Sequence, residues 1–118
     1  CVRAIKGESL TIHGDGEQTR SFCFVTDLVE GIIRLFESSE HMPVNIGNPV
    51  EYTILEFARA IVGLTGSQSQ IKTLPARQDD PRKRCPDIAR AKKLLDWSPQ
   101  IDLETGLRKS LEYFRTQL

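Results

Sequence analysis

A chain of 118 residues with 39% hydrophobic content is the size of one small domain with a single core. Its 16 basic and 16 acidic residues cancel to a formal charge of zero, so no global field points to nucleic acid or to an anionic membrane. No apolar run reaches the roughly 18 residues of a membrane span, and no basic-then-apolar leader lies within these residues.

Taken in chain order, Cys1 to Gly7 reads like the last turns of a helix closed by glycine. With no initiator Met before it, the expectation is a fragment of a longer protein. Leu10-Thr11-Ile12 is a short alternating run of β-formers, and Gly14-Asp15-Gly16 then reads as a tight loop needing positive φ. A second β-rich stretch runs from Thr19 to Val25. Asp27, with Glu30 three residues on, reads as the cap of a helix over 27–37 carrying Leu28, Ile32, Leu35 and Phe36. Gly31 inside that helix costs about 1 kcal/mol relative to alanine, which points to close packing at that position.

Ser38 to Pro43 is a polar linker, and Val44 to Gly47 reads as a short strand stopped by Gly47-Asn48-Pro49. Thr53-Ile54-Leu55-Glu56 is a capping box, followed by apolar residues at helical spacing up to Gly66. A strand over 70–74 follows. Pro75 to Pro86 has no apolar periodicity and reads as an exposed or ligand-facing loop. Asp87 reads as the cap of a helix with Ile88, Ala91, Leu94 and Leu95 on one face and Trp97 near its end; Pro99 bars its continuation. Asp102 and Glu104 open the last helix, with Leu103, Leu107, Leu111 and Phe114 on its apolar stripe. The element order gives one α+β unit over residues 1–118, too few strands for a doubly wound sheet and suited to packing on something larger.

Two segments could carry chemistry. In the first, His13 to Arg20, glycines admit a ligand to backbone N–H groups and Arg20 could grip phosphate oxygens bidentately; a hairpin with a solvated arginine is the plain alternative. Its spacing is not that of a dinucleotide-binding Gly-x-Gly-x-x-Gly loop. In the second, Arg77 to Asp87, four basic residues, Arg77, Arg82, Lys83 and Arg84, sit between prolines. A solvated charge run is the usual reading of such a stretch. No aromatics interleave, and Asp79, Asp80 and Asp87 would repel a polyanion, so one small diphosphate suits it better than nucleic acid. Cys1, Cys23, Cys85, His13 and His41 lack metal-ligand spacing. Cys23 reads as a small buried hydrophobe, and the cysteine usage suits a reducing, cytoplasmic compartment. Asp79 and Asp80 do not read as an acid/base pair, and no nucleophile, triad or catalytic residue can be named.

Read together, Leu10 to Phe22 resembles the segment of extended short-chain dehydrogenases that binds a sugar nucleotide, and Val25 to Gly31 continues the likeness. Val44 to Pro49, Tyr52 to Glu56 and Asp79 to Asp87 resemble the UDP-glucuronate decarboxylase family, also called UDP-xylose synthases. The resemblance covers essentially the whole chain. It implies the carboxy-terminal, UDP-sugar-binding part of a homodimeric enzyme whose amino-terminal Rossmann half, absent here, holds NAD. In that family the 4-hydroxyl is oxidised, the 4-keto acid loses CO2, and the ketone is reduced again. Residue by residue, the resemblance assigns Arg20 and Arg84 to the UDP phosphates, with Arg82 beside them. Asp15 and Gln18 fall in the glycine loop near the nucleotide, and His13 stands beside the uracil, where the family usually has tyrosine. The NAD loop, the Tyr-x-x-x-Lys pair and the active-site Ser or Thr have no counterpart, so the fragment alone is expected to bind no cofactor and to be inactive. A sister 4,6-dehydratase or 4-epimerase and a non-enzymatic anion-binding module remain as alternatives.

Overall fold

A computed structural model describes residues 1–118. Along the chain lie α1 (Val2–Ile5), β1 (Leu10–His13), β2 (Thr19–Ser21), α2 (Val25–Glu37), β3 (Glu51–Thr53), α3 (Ile54–Thr65), β4 (Ile71–Leu74), α4 (Ala89–Leu95) and α5 (Leu103–Thr116). The mixed α and β character expected from the sequence is therefore present.

The strands form two separate pairs. β1 runs parallel to β4, with Leu10 opposite Ile71 and His13 opposite Leu74. β2 runs antiparallel to β3, with Arg20 opposite Tyr52. Parallel strands emit their following loops from the same edge, so the segments after His13 and after Leu74 leave side by side. Gly14 prolongs the pairing by donating its N–H to the Leu74 carbonyl at 2.8 Å. This pairing is how the fold unites two segments some sixty residues apart.

Local signals explain most helix ends. Thr53 and Glu56 form a reciprocal capping box at α3, which closes at Gly66. Asp102 accepts the Thr105 N–H at 2.7 Å and starts α5. Asp87 accepts the Ala89 N–H at 2.9 Å and directs the entry to α4. Asp27, by contrast, caps nothing: α2 begins two residues earlier, at Val25, after Phe24. Asp27 is 8% exposed, and its Oδ2 accepts the N–H groups of Gln100 at 2.9 Å and Ile101 at 2.8 Å. Glu30 pairs with Arg34 instead of reaching back to a cap. A carboxylate near a helix start has two uses, and the tertiary one won.

Two strand expectations also change. Val44 to Gly47 forms no strand; Val44 and Ile46 pack against the cluster of Ile88, Ala91, Leu95 and Trp97, while the ladder forms downstream in β3. β2 ends at Ser21, because Phe22 leaves the ladder to stack on Phe57 with centroids 3.9 Å apart.

The core is split into two small clusters. One centres on Trp97; the other joins Ala4, Ile61 and Leu107 from α1, α3 and α5. Gly31 is where α2 meets the first: a methyl built there would lie 2.5 Å from Ile46 Cγ2 and 3.0 Å from the Trp97 ring. Trp97 Nε1 donates to the Asp27 carbonyl at 3.0 Å and locks the same contact. The outer face of α2 is open, with Ile32 half exposed and Phe36 89% exposed. The molecule is a slab of 49 × 35 × 18 Å with a radius of gyration of 16.3 Å. A compact chain of this length would have about 13.5 Å. No helix is long and apolar enough to cross a membrane.

Candidate functional site

The site is a seam between segments 13–21 and 75–86. Gly14 and Gly16 take φ of 80° and 81°, and this lets the backbone turn tightly between β1 and β2. Asp15, between them, accepts the Glu17 N–H at 3.0 Å and both its carboxylate oxygens meet Arg82 Nη1, at 3.0 and 3.1 Å. Those contacts, the Glu17 N–H first and Arg82 second, hold the Asp15 carboxyl below the ordinary aspartate range. Thr19 N–H in turn donates to the Arg82 carbonyl at 2.8 Å.

Arg20 is clamped. Its Nη1 donates to the carbonyls of Thr19 at 2.6 Å and Pro81 at 2.8 Å, and its Nη2 pairs with Asp80. Asp79 adopts the left-handed region (φ 59°), a turn that aspartate tolerates, immediately before the residues that face Arg20. Those three contacts use three of the five guanidinium N–H groups, so Nε–H and one hydrogen of Nη2 remain for a further acceptor. Ser21 Oγ donates to the Arg84 carbonyl at 3.3 Å. Arg20, Ser21, Lys83, Arg84, Cys85 and Pro86 line one open groove of about 590 Å³, within the size range of small-ligand sites. Arg20 is neutralised by Asp80, whereas Lys83 and Arg84 take part in no salt bridge, so the groove carries net positive charge.

The remaining residues singled out by sequence lie along the same seam. His13 Nδ1 is 3.2 Å from the Pro75 carbonyl, and its Nε2 is 3.2 Å from Arg77 Nη2. Gln18 does not line the groove. It is 7% exposed, its Nε2 donates to the His13 carbonyl at 2.7 Å, its own carbonyl accepts the Ile54 N–H at 3.0 Å, and its Oε1 is buried without a partner. Gln18 thus ties the glycine loop to α3. Sequence reasoning read Asp80 and Asp15 only by their own loops and missed that each neutralises an arginine of the other segment. Arg77 was read as part of a charge run, and its contact with His13 was missed. Opposite charges on two loops flanking β-runs were the available signal, but pairing them needs the β1–β4 register.

The candidate site is thus framed by a glycine turn after a parallel strand and an arginine-bearing loop from the neighbouring strand. The family model described as GDP-mannose 4,6 dehydratase matches residues 1–110, and the chain belongs to that family within the extended short-chain dehydrogenase superfamily. It is 51% identical over 117 residues to UDP-glucuronic acid decarboxylase 1 of Danio rerio, covering 99% of this chain and 28% of that protein. It is 46% identical over 117 residues to UDP-glucuronic acid decarboxylase 3 of Arabidopsis thaliana, covering 99% and 34%. The chain therefore spans about a third or less of the length of these curated relatives.

Among solved structures, it superposes on UDP-glucose 4-epimerase from Thermotoga maritima, crystallised with UDP-glucose. The TM-score is 0.94 at 33% identity, over 98% of this chain and 38% of that one. It also superposes on UDP-glucuronic acid 4-epimerase from Bacillus cereus in complex with UDP-glucuronic acid and NAD. There the TM-score is 0.91 at 27% identity, over 99% and 38%. The likeness to UDP-glucuronate decarboxylases read from the motifs is thus borne out along the whole chain.

Proposed function

We propose that this chain is the UDP-sugar-binding part of an NAD-dependent UDP-glucuronate decarboxylase, which converts UDP-glucuronate to UDP-xylose and CO2. The observation that carries the reading is the groove of Arg20, Lys83 and Arg84, assembled from the two segments that resemble the family's nucleotide-sugar grip. Arg20, pre-oriented by Asp80 and two carbonyls, and Arg84 hold the diphosphate. Arg82 and Asp15 staple the rim, His13 takes the base, and Gln18 supports the loop from beneath.

The chain's own chemistry is binding and orientation. The glycine turn here joins two strands, whereas the dinucleotide-binding loop joins a strand to a helix. Neither Tyr52 nor Tyr113 has a lysine four residues on; Glu56 and Gln117 stand there. In this reading an amino-terminal Rossmann domain of the parent enzyme supplies NAD binding and the catalytic groups. The slab shape and the open face of α2 suit a partner of that kind, in a homodimeric parent. Three free cysteines suit a reducing, cytoplasmic setting.

The full-length protein given UDP-glucuronate and NAD is expected to release CO2 and form UDP-xylose, read by mass spectrometry of the nucleotide sugars. Formation of UDP-galacturonate, with no CO2, would transfer the protein to the 4-epimerases. Tight RNA binding with no response to UDP would favour an anion-binding module.

A further inference from the structure

We infer that Arg77 is a positioning residue for base recognition: together with the Pro75 carbonyl it holds the His13 imidazole in one tautomer with both ring nitrogens occupied, so that His13 meets the base by stacking alone. The inference deepens, and rests on, the reading that the chain binds a UDP sugar.

The tautomer follows from donor and acceptor inventory. A guanidinium has only donors, so the 3.2 Å contact from Arg77 Nη2 requires a bare, accepting Nε2 on His13. The Pro75 carbonyl has only lone pairs, so the 3.2 Å contact at Nδ1 requires a proton there. Among the three protonation states of imidazole, the Nδ1–H tautomer alone satisfies both contacts. The two bonds lie at opposite edges of the ring and restrain its rotation, while Gln18 holds the His13 main chain through its carbonyl at 2.7 Å. β1–β4 pairing, which sets His13 opposite Leu74, delivers Pro75 and Arg77 to that position.

A ring with both nitrogens occupied offers a ligand only its faces. Stacking on a face is tolerant of base identity, because every base has a π-face, whereas reading uracil against cytosine needs hydrogen bonds to the base edge. His13 thus contributes affinity for a pyrimidine without contributing selectivity. Loss of Arg77 loosens the platform and leaves the diphosphate grip at Arg20 and Arg84 untouched.

The test uses the full-length protein and three probes, UDP, CDP and inorganic pyrophosphate, by calorimetry, together with nitrogen-15 NMR of the His13 ring. The wild type is expected to show the Nδ1–H signature with a hydrogen-bonded, bare Nε2, and Arg77→Ala to lose the hydrogen-bond shift at Nε2 and with it the restraint on the ring, the Pro75 carbonyl still facing Nδ1. Arg77→Ala is expected to weaken UDP and CDP by the same factor, about fivefold to tenfold, one hydrogen bond's worth, with pyrophosphate unchanged. In a His13→Phe background, which keeps a flat ring without an acceptor, Arg77→Ala is expected to have no further effect. A wild-type Nε2–H signature overturns the inference, as does an equal loss for all three probes, which would make Arg77 a phosphate contact. A loss confined to UDP overturns it too, since it would mean edge recognition. If the wild type binds pyrophosphate but neither nucleotide, the UDP-sugar reading fails and base recognition with it, while the NMR signature separately judges the Arg77–His13 contact.

Discussion

Replacing Gly31 by alanine sets two effects of opposite sign against each other at one position. Alanine is the better helix former, by about 0.5–1 kcal/mol in a helix interior. At this site, however, the added methyl would stand 2.5 Å from Ile46 Cγ2, 3.0 Å from Trp97 Cε2 and 3.2 Å from Trp97 Nε1. Ile46 is branched at Cβ and packed on the same cluster, and the Trp97 indole is 3% exposed and bonded to the Asp27 carbonyl, so neither neighbour gives way freely. Overpacking of a filled core costs about 1–3 kcal/mol. The net expectation is a loss of about 1–2 kcal/mol despite the gain in helix propensity. Trp97, the sole tryptophan of the chain, reports from inside the contact, so urea unfolding followed by its fluorescence measures both the loss and the local rearrangement. Truncating the neighbour, as Ile46→Ala, should cost stability alone yet recover part of it when combined with Gly31→Ala. A Gly31→Ala variant as stable as the wild type or more so, with unchanged Trp97 emission, would refute the packing argument.

Asp27→Ala strips the acceptor from two N–H groups of the turn before α5 and should cost about 2–4 kcal/mol in the same assay, far beyond a surface substitution. Asp15, Glu40 and Asp102 all have carboxyl groups held below their ordinary values, chiefly by backbone N–H donors at Glu17, Met42 and Thr105. A lowered folded-state value stabilises above the ordinary carboxylate range and the contribution is lost on acidification, so stability should fall as pH drops below about 4. Asp102→Asn should flatten part of that acid limb. Asp80→Ala, which unclamps Arg20 without touching the groove's other cations, should weaken UDP binding in the intact enzyme by less than removal of Arg20 itself.

Legibility in the sequence tracked the range of the interactions. The capping box at Thr53 and Glu56, the start of α5 at Asp102 and the positive φ at Gly14 and Gly16 are local, and each was readable from spacing and residue type. Gly31 carried a correct hint, because a glycine that weakens its own helix needs a neighbour to justify it. Asp27 misled, since an acidic residue suits both a helix start and a buried brace, and the brace depends on Gln100 and Ile101 far along the chain. Val44 to Ile46 misled for a similar reason: β-branched residues serve core packing as readily as a ladder. At the site, both basic segments were visible separately. Their union was not, because Arg20 meets Asp80 and Asp15 meets Arg82 only through the β1–β4 register.

The groove of Arg20 and Arg84 as a diphosphate grip is tested most directly by calorimetric titration of the intact protein with UDP, comparing wild type with Arg20→Ala and Arg84→Ala. Each substitution is expected to weaken UDP by about 1.5–3 kcal/mol, the range of a charged hydrogen bond, and to weaken pyrophosphate in parallel. An unchanged dissociation constant in both variants would remove the groove from the nucleotide site.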